Sequence, residues 1–353
     1  MGHSGTLVDY KTKKVKNNVK YSILELATVS QNTSFKETLN NTLALAKAAE
    51  KSGYERYWFA EHHNSDTVAS SATAVLIGYV AENTQRIRVG SGGVMLPNHS
   101  PLIVAEQFGT LAQLYPDRVD LGLGRAAGTD VATAQAIRSD SFQAAHSFPE
   151  EIQKIQDYFS PANKSAKVRV SIAEGMNVPI YILGSSTDSA HLAAKKGLPY
   201  AFASHFASTH LYNAVRIYEQ EFKPSEFLKA PYIIAGINVI MADTNEEAEK
   251  IFTSLIGMFY GMLTGNMQTV QPPTAMSEDW RQILNHPNVN QMLRFSFVGD
   301  KQTVKKQILG FLKDTNADEL IAVSTMYAPE DRIKSAQLFA EVMQEINVNS
   351  QMQ

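Results

Sequence analysis

Cysteine is absent from the 353-residue chain. That excludes a disulfide framework, thiolate metal sites and cysteine nucleophiles. No stretch of roughly 18 apolar residues is present to span a bilayer. A formal net charge of -3 without a basic stripe gives no electrostatic footprint for nucleic acid. The first residues lack the apolar core of a signal peptide, so the expected compartment is the cytoplasm, with neither membrane nor nucleic acid as a partner. No Gly/Ser-rich or strongly charged linker divides the chain, and 44% hydrophobic residues can bury one large core. Residues 1–18, where Lys11, Lys13, Lys14 and Lys16 stand among polar neighbours, read as a flexible extension. Residues 19–348 read as a single domain.

What is present is an alternation. Strand-like runs are expected at 20–26, 54–60, after 84–86, up to Arg125, and at 179–183, 200–203, 232–241 and 319–325. Helices are expected between them. The first starts at Ser34 with Leu39, Leu43, Ala46 and Ala49 at helical spacing and stops at Gly53. Others fall at 70–82, after Pro101, and at 148–159, 188–196, 208–222, 246–263 and 329–346. Eight strands, each followed by a helix, make a (β/α)8 TIM barrel of the α/β class, with insertions after strands 4 and 7. The first insertion fills about 50 residues with the 148–159 helix and a hairpin around 168–172. The second, 264–297, has weak periodicity with Pro272, Pro273 and Pro287, and reads as loop and broken helix. The apolar stretch 252–262 fits either core or a hydrophobic substrate.

In such a barrel the loops after the strand ends carry the chemistry, and four strands end on polar or glycine clusters. After the second strand come Glu61, His62 and His63. Adjacent side chains alternate sides, so only one histidine points into the mouth, and two neighbours poorly chelate one ion; no metal site is expected. These histidines either bond locally or present a neutral imidazole to a ligand as acid, base or donor. Gly90-Ser91-Gly92-Gly93 marks a bulge or a flat bed for a ring. Gly122-Leu123-Gly124-Arg125-Ala126-Ala127-Gly128 misses the dinucleotide fingerprint spacing by one residue and lacks its acidic partner. Arg125 at a strand end serves a salt bridge or a phosphate. Ser185, Ser186 and Ser189 join a strand to a helix as ordinary caps or as an anion site, and Arg125 beside them favours phosphate. No strand-end cluster holds a lysine for phosphosugar chemistry.

Four segments carry a resemblance: Ala60-Glu61-His62-His63-Asn64, residues 89–98, Ala105-Glu106-Gln107-Phe108, and Gly122-Leu123-Gly124-Arg125. Over nearly everything from Tyr21 to Ile346 the chain resembles bacterial-luciferase-like flavin-dependent monooxygenases. The resemblance implies a TIM barrel with reduced FMN across the strand ends. It assigns His62 as the catalytic histidine at the flavin's reactive edge and Glu61 as the acidic neighbour beneath the ring. Gly92-Gly93 falls at a non-proline cis peptide against the isoalloxazine. Arg125, Ser186 and Ser189, with Ser185, fall at the phosphate, and 264–297 matches a mobile active-site segment. The implied reaction joins reduced FMN to molecular oxygen, and the resulting hydroperoxyflavin oxidises a small organic substrate. The reduced flavin comes from a partner flavin reductase or, in place, from NAD(P)H. A homodimer through helices near the second and third strands is also implied. A deazaflavin-dependent hydride transferase of the same fold and a non-catalytic flavin-binding protein stay open as alternatives. Gly124 stands where luciferase has its reactive cysteine, and the aldehyde-binding side chains do not carry over, so light emission is not expected.

Overall fold

A capping box starts the first helix: Ser34 Oγ accepts from the Glu37 N–H at 3.2 Å, and the Glu37 carboxylate accepts from the Ser34 N–H at 2.8 Å. The helix, α1 (Phe35–Lys51), packs Leu39, Leu43, Ala46 and Ala49 inward and stops where Gly53 turns left-handed at φ 80°. The same logic repeats around a computed structural model that describes residues 16–351. Most of the expected extension lies outside the described residues, but Lys16 Nζ donates to Asp318 Oδ1 at 2.7 Å.

The strands are β1 (Lys20–Glu25), β2 (Arg56–Phe59), β3 (Arg88–Met95), β4 (Val119–Gly124), β5 (Ile180–Gly184), β6 (Tyr200–Phe202), β7 (Ile233–Met241), β8 (Ser296–Gly299) and β9 (Glu319–Val323). All pairings between them are parallel. Eight close a barrel in the order β1 to β7, then β9, which returns to β1. Around it lie α2 (Thr73–Glu82), α3 (Pro101–Leu114), α4 (Val131–Ile137), α5 (Ser141–His146), α6 (Phe148–Phe159), α7 (Thr187–Lys196), α8 (Leu211–Glu221), α9 (Asn245–Thr264), α10 (Glu278–Asn285), α11 (Pro287–Met292), α12 (Lys301–Thr315) and α13 (Pro329–Gln351). The expected TIM barrel is present, with insertions after β4 and β7.

Two local expectations need correction. Residues 168–172 form bends and a turn, not a hairpin. There the Val170 N–H donates to Asn163 Oδ1 at 2.9 Å and the Ala173 N–H to Val170 O at 2.8 Å, so the backbone is satisfied locally while Val170 and Ala173 enter the core. The 264–297 segment is loop and broken helix as expected, with α10 and α11 interrupted at His286, but the eight-strand count is one short: the segment leads into a ninth strand, β8, which lies beside the end of β7 outside the barrel. The helix after it, α12, also went unpredicted, although Asp300 caps it by accepting from the Thr303 N–H. While α12 packs on the main core through Val304, Ile308 and Phe311, helices α10 and α11 share a second core with α9, where Phe252, Leu255, Ile256 and Phe259 are buried. Most of that apolar stretch is therefore core. Among the described residues no helix is long and apolar enough to cross a membrane.

Charge fills the closed end of the barrel. Arg56, buried on β2, donates to Glu319 through Nε at 2.8 Å and Nη2 at 3.1 Å, and through Nη1 to Asp120 at 2.7 Å and Tyr181 Oη at 2.8 Å. Arg88, Trp58 Nε1, Tyr232 Oη and the Ser22 hydroxyl supply the remaining donors to the two carboxylates. Above this layer Leu24, Trp58, Ile234, Ile321 and Val323 form an apolar plug. Arg56→Ala leaves two buried carboxylates undercompensated and is expected to lower unfolding free energy by about 3–5 kcal/mol. Urea unfolding measures this, and a loss below about 1 kcal/mol contradicts a structural role for the pair.

Candidate active site

The loop after β2 carries Glu61 to the outer side of the strand end, fully buried. Its carboxylate accepts from His63 Nε2 at 2.8 Å, His99 Nε2 at 2.9 and 3.0 Å, Asn98 Nδ2 at 3.2 Å and the Met95 N–H at 3.1 Å. Burial pushes its pKa up, but the hydrogen bonds from His63 and His99 outweigh burial and hold it at about 2. Glu61 is thus an ionised anchor for two imidazoles. One ligand atom from each of Glu61, His63 and His99 lies within 4.8 Å of the others, a spacing that a metal ion can span. Both carboxylate oxygens already accept N–H donors, however, so an ion would have to displace the imidazole hydrogen bonds. Sequence reasoning singled out neither Asn98 nor His99 as site residues; Asn98 closes the 89–98 segment that carries the resemblance, and both lie just past the glycine-bearing end of the third strand.

His62 is held differently. Its N–H donates to Ser70 O at 3.0 Å, while its ring Nδ1 is buried without a partner. Burial lowers its pKa, with His63 adding to the effect and Glu61 opposing it, so the ring is neutral at neutral pH. Strand alternation thus separates the neighbours as expected, with Glu61 and His63 bonded to each other and His62 free. His62 also acts electrostatically on His205, which follows β6 and which the sequence reading missed.

At β3 the Gly92–Gly93 peptide is cis, and the β3–β4 register shifts between Ser91 and Val94, so the cis bond and the bulge coexist. A Cβ at Gly92 would lie 2.6 Å from Leu24 Cδ1, and one at Gly93 2.7 Å from Gly122 O. The neighbouring backbone therefore already demands Gly93, while a side chain at Gly92 would crowd Leu24 and Trp58.

On the neighbouring rim Arg125 follows β4 and is exposed, with Nη2 3.3 Å from Asp188 Oδ2. Such an exposed pair contributes little and exchanges readily. Ser186 caps α7 without any side-chain capping bond, so the helix start keeps open N–H groups. Ser189 Oγ donates to Ser186 O at 2.7 Å and shares a hydrogen bond with Tyr200 Oη at 3.0 Å, so that hydroxyl also braces the turn. Ser185 is exposed beside it. The structure brings Arg125, Ser185, Ser186 and Ser189 together and keeps Glu61 apart with its histidines.

Replacing Glu61 by Gln sets an amide against the buried donors and is expected to lower stability at pH 7 by about 1–3 kcal/mol. Because its folded pKa lies below the ordinary 4.5, the carboxylate's contribution is full above that value and fades as pH falls towards 2. Urea unfolding should therefore show a smaller gap between wild type and Glu61→Gln at pH 3 than at pH 7. Equal gaps contradict the assignment.

Comparison with known proteins places the chain in a family. The family model described as luciferase-like monooxygenase matches residues 19–319. An Escherichia coli (strain K12) luciferase-like monooxygenase is 43% identical over 328 residues, covering 93% of this chain and 98% of that protein. The N-acetyl-S-alkylcysteine monooxygenase of Bacillus subtilis (strain 168) is 37% identical over 245 residues, covering 67% of this chain and 72% of that protein. The crystal structure of apo-MsnO8 superposes with a TM-score of 0.84 at 32% identity, covering 92% of this chain and 98% of that one. Two more distant structures share the fold alone: an FMN complex of the oxygenating constituent of 3,6-diketocamphane monooxygenase (TM-score 0.70, 17% identity, 93% of this chain and 98% of that one) and an F420-dependent secondary alcohol dehydrogenase (0.62, 16%, 92% and 98%). On the strength of the family match and of relatives similar over nearly its whole length, the chain belongs to the luciferase-like monooxygenase family and is an oxidoreductase.

Proposed function

We propose that the protein is an FMN-dependent monooxygenase that uses reduced FMN and molecular oxygen to oxidise a small organic substrate. One observation carries the reading: the start of α7 has open N–H groups, no side-chain cap, and Arg125 beside it held only by an exposed carboxylate. A helix start with an adjacent guanidinium fits a phosphate monoester. Arg125, Ser185, Ser186 and Ser189 are then the phosphate residues, with Asp188 giving up its ion pair on binding. Gly92 and Gly93 flank the ring, and bound FMN supplies the electron transfer to oxygen. His62, a neutral ring with a free nitrogen, holds or passes a proton at the reacting edge. Glu61 acts with His62 as a positioning residue, its carboxylate holding His63 and His99 by hydrogen bonds.

The reduced flavin comes from a flavin reductase partner or from NAD(P)H directly. Exposed Val75 and Tyr79 on α2, with Ile103 and Leu114 on α3, support a homodimer through these helices. A deazaflavin cofactor is the second reading, because the F420-dependent fold neighbour carries such a cofactor on the same barrel.

Arg125→Ala is expected to weaken FMN at least roughly tenfold more than riboflavin, which lacks the phosphate. Fluorescence titration with both ligands tests this; equal weakening contradicts the phosphate assignment. His62→Asn should keep FMN affinity and slow turnover roughly 100-fold. Unchanged turnover removes His62 from the chemistry.

A further inference from the structure

His205 has no role so far, and its surroundings give it one. It follows β6 and is only 7% exposed, yet its Nδ1 is buried with no hydrogen-bond partner, the state also found at His62. The loop around it is fixed. Its carbonyl accepts from Asn238 Nδ2 at 2.6 Å, and the Ser204 hydroxyl donates to Gly236 O at 2.5 Å. A Cβ on Gly236 would lie 2.6 Å from His205 Nδ1, so β7 lacks a side chain exactly where the imidazole lies. Ile234, two residues earlier on β7 and so on the same face, belongs to the apolar plug inside the barrel. The His205 ring therefore sits within the barrel, one layer nearer the mouth than Ile234.

The proton position follows from packing. Nδ1 is pressed against Gly236 with no acceptor in reach, and a buried, orphaned N–H is rarer than an under-used acceptor. Nδ1 is thus the bare nitrogen, and Nε2 carries the hydrogen. Burial lowers the ring's pKa to about 3, with His62 acting in the same direction, so it stays neutral at working pH.

The geometry points to His205 as a ligand-contacting residue whose Nε2–H donates to an uncharged carbonyl-type oxygen bound in the barrel mouth. That oxygen belongs either to the flavin ring or to the organic substrate. The inference rests on the flavin reading of the mouth, but its first test does not.

Long-range 1H–15N correlation of the imidazoles in 15N-labelled protein is expected to show His205 neutral with hydrogen on Nε2. Hydrogen on Nδ1, or a charged ring at pH 7, overturns the proposal. Two titrations then follow, oxidised FMN first and acetone on the FMN-saturated protein second. A shift of the His205 Nε2 signals with FMN identifies a flavin carbonyl, and a shift only with acetone identifies a substrate carbonyl. No shift with either overturns the proposal. Should the wild type bind no FMN, the flavin reading fails, while acetone added to the free protein still decides for or against His205. His205→Gln keeps an amide donor near Nε2, and His205→Leu keeps bulk alone. The Leu variant should weaken the responsive probe roughly five- to tenfold and the Gln variant far less, with similar unfolding midpoints. Equal weakening by both reduces His205 to packing.

Discussion

A guanidinium buried inside a closed sheet sets the limits for everything above it. Arg56 bridges Asp120 on β4 and Glu319 on β9, strands well apart around the barrel, so one side chain ties distant walls together. Two carboxylates there would repel without it, and it would be costly to bury without them. Trp58 and Tyr181 lie 5.3 and 5.1 Å from the guanidinium and continue the packing upward into the apolar plug. Charge and plug together fill the lower barrel. A ligand must therefore bind at the other end, where the strands finish.

That end is divided electrically. Glu61 is a buried anion at neutral pH, but its charge is spent on four donor groups and faces no open space. The mouth itself presents neutral imidazoles, His62 and His205, kept uncharged by burial. On the rim, Arg125 carries positive charge in a pair that solvent already weakens. A ligand with an anionic tail and an uncharged ring matches this order, tail outward and ring inward. A ligand with a charged head in the mouth would meet no counter-charge from these two rings.

The barrel was legible in sequence because each strand run stops at a turn signal before a helix of regular apolar spacing, as with Leu39 to Gly53. The side-switching of Glu61 and His62 was legible from strand alternation alone. The resemblance to the family pointed to the cis peptide at Gly92–Gly93, which the residues by themselves left as a bulge or a bed. Short β8 was not legible, since four residues give too little alternation to separate strand from loop. Val168, Val170 and Ile172 mimic a strand period where local acceptors instead fold a turn. Most of what was missed depends on distant contacts. Arg56, Asp120 and Glu319 lie far apart in the chain, and nothing local pairs them. His99 gains its meaning from Glu61, and His205 from Gly236, which vacates the space for its ring. Yet Ser204-His205 follows the sixth strand as the other clusters follow theirs, and that pattern was available.

The central claim is that this barrel mouth binds reduced FMN and lets it react with oxygen, and one anaerobic experiment addresses it directly. The protein is titrated with reduced FMN and, separately, with a reduced deazaflavin, and each complex is then mixed with oxygen while absorbance and oxygen uptake are followed. The prediction is saturable binding of reduced FMN, followed by oxygen consumption with a time course distinct from that of free reduced FMN. Failure to bind reduced FMN, or a bound reduced flavin that oxygen leaves untouched while the deazaflavin binds, would contradict it.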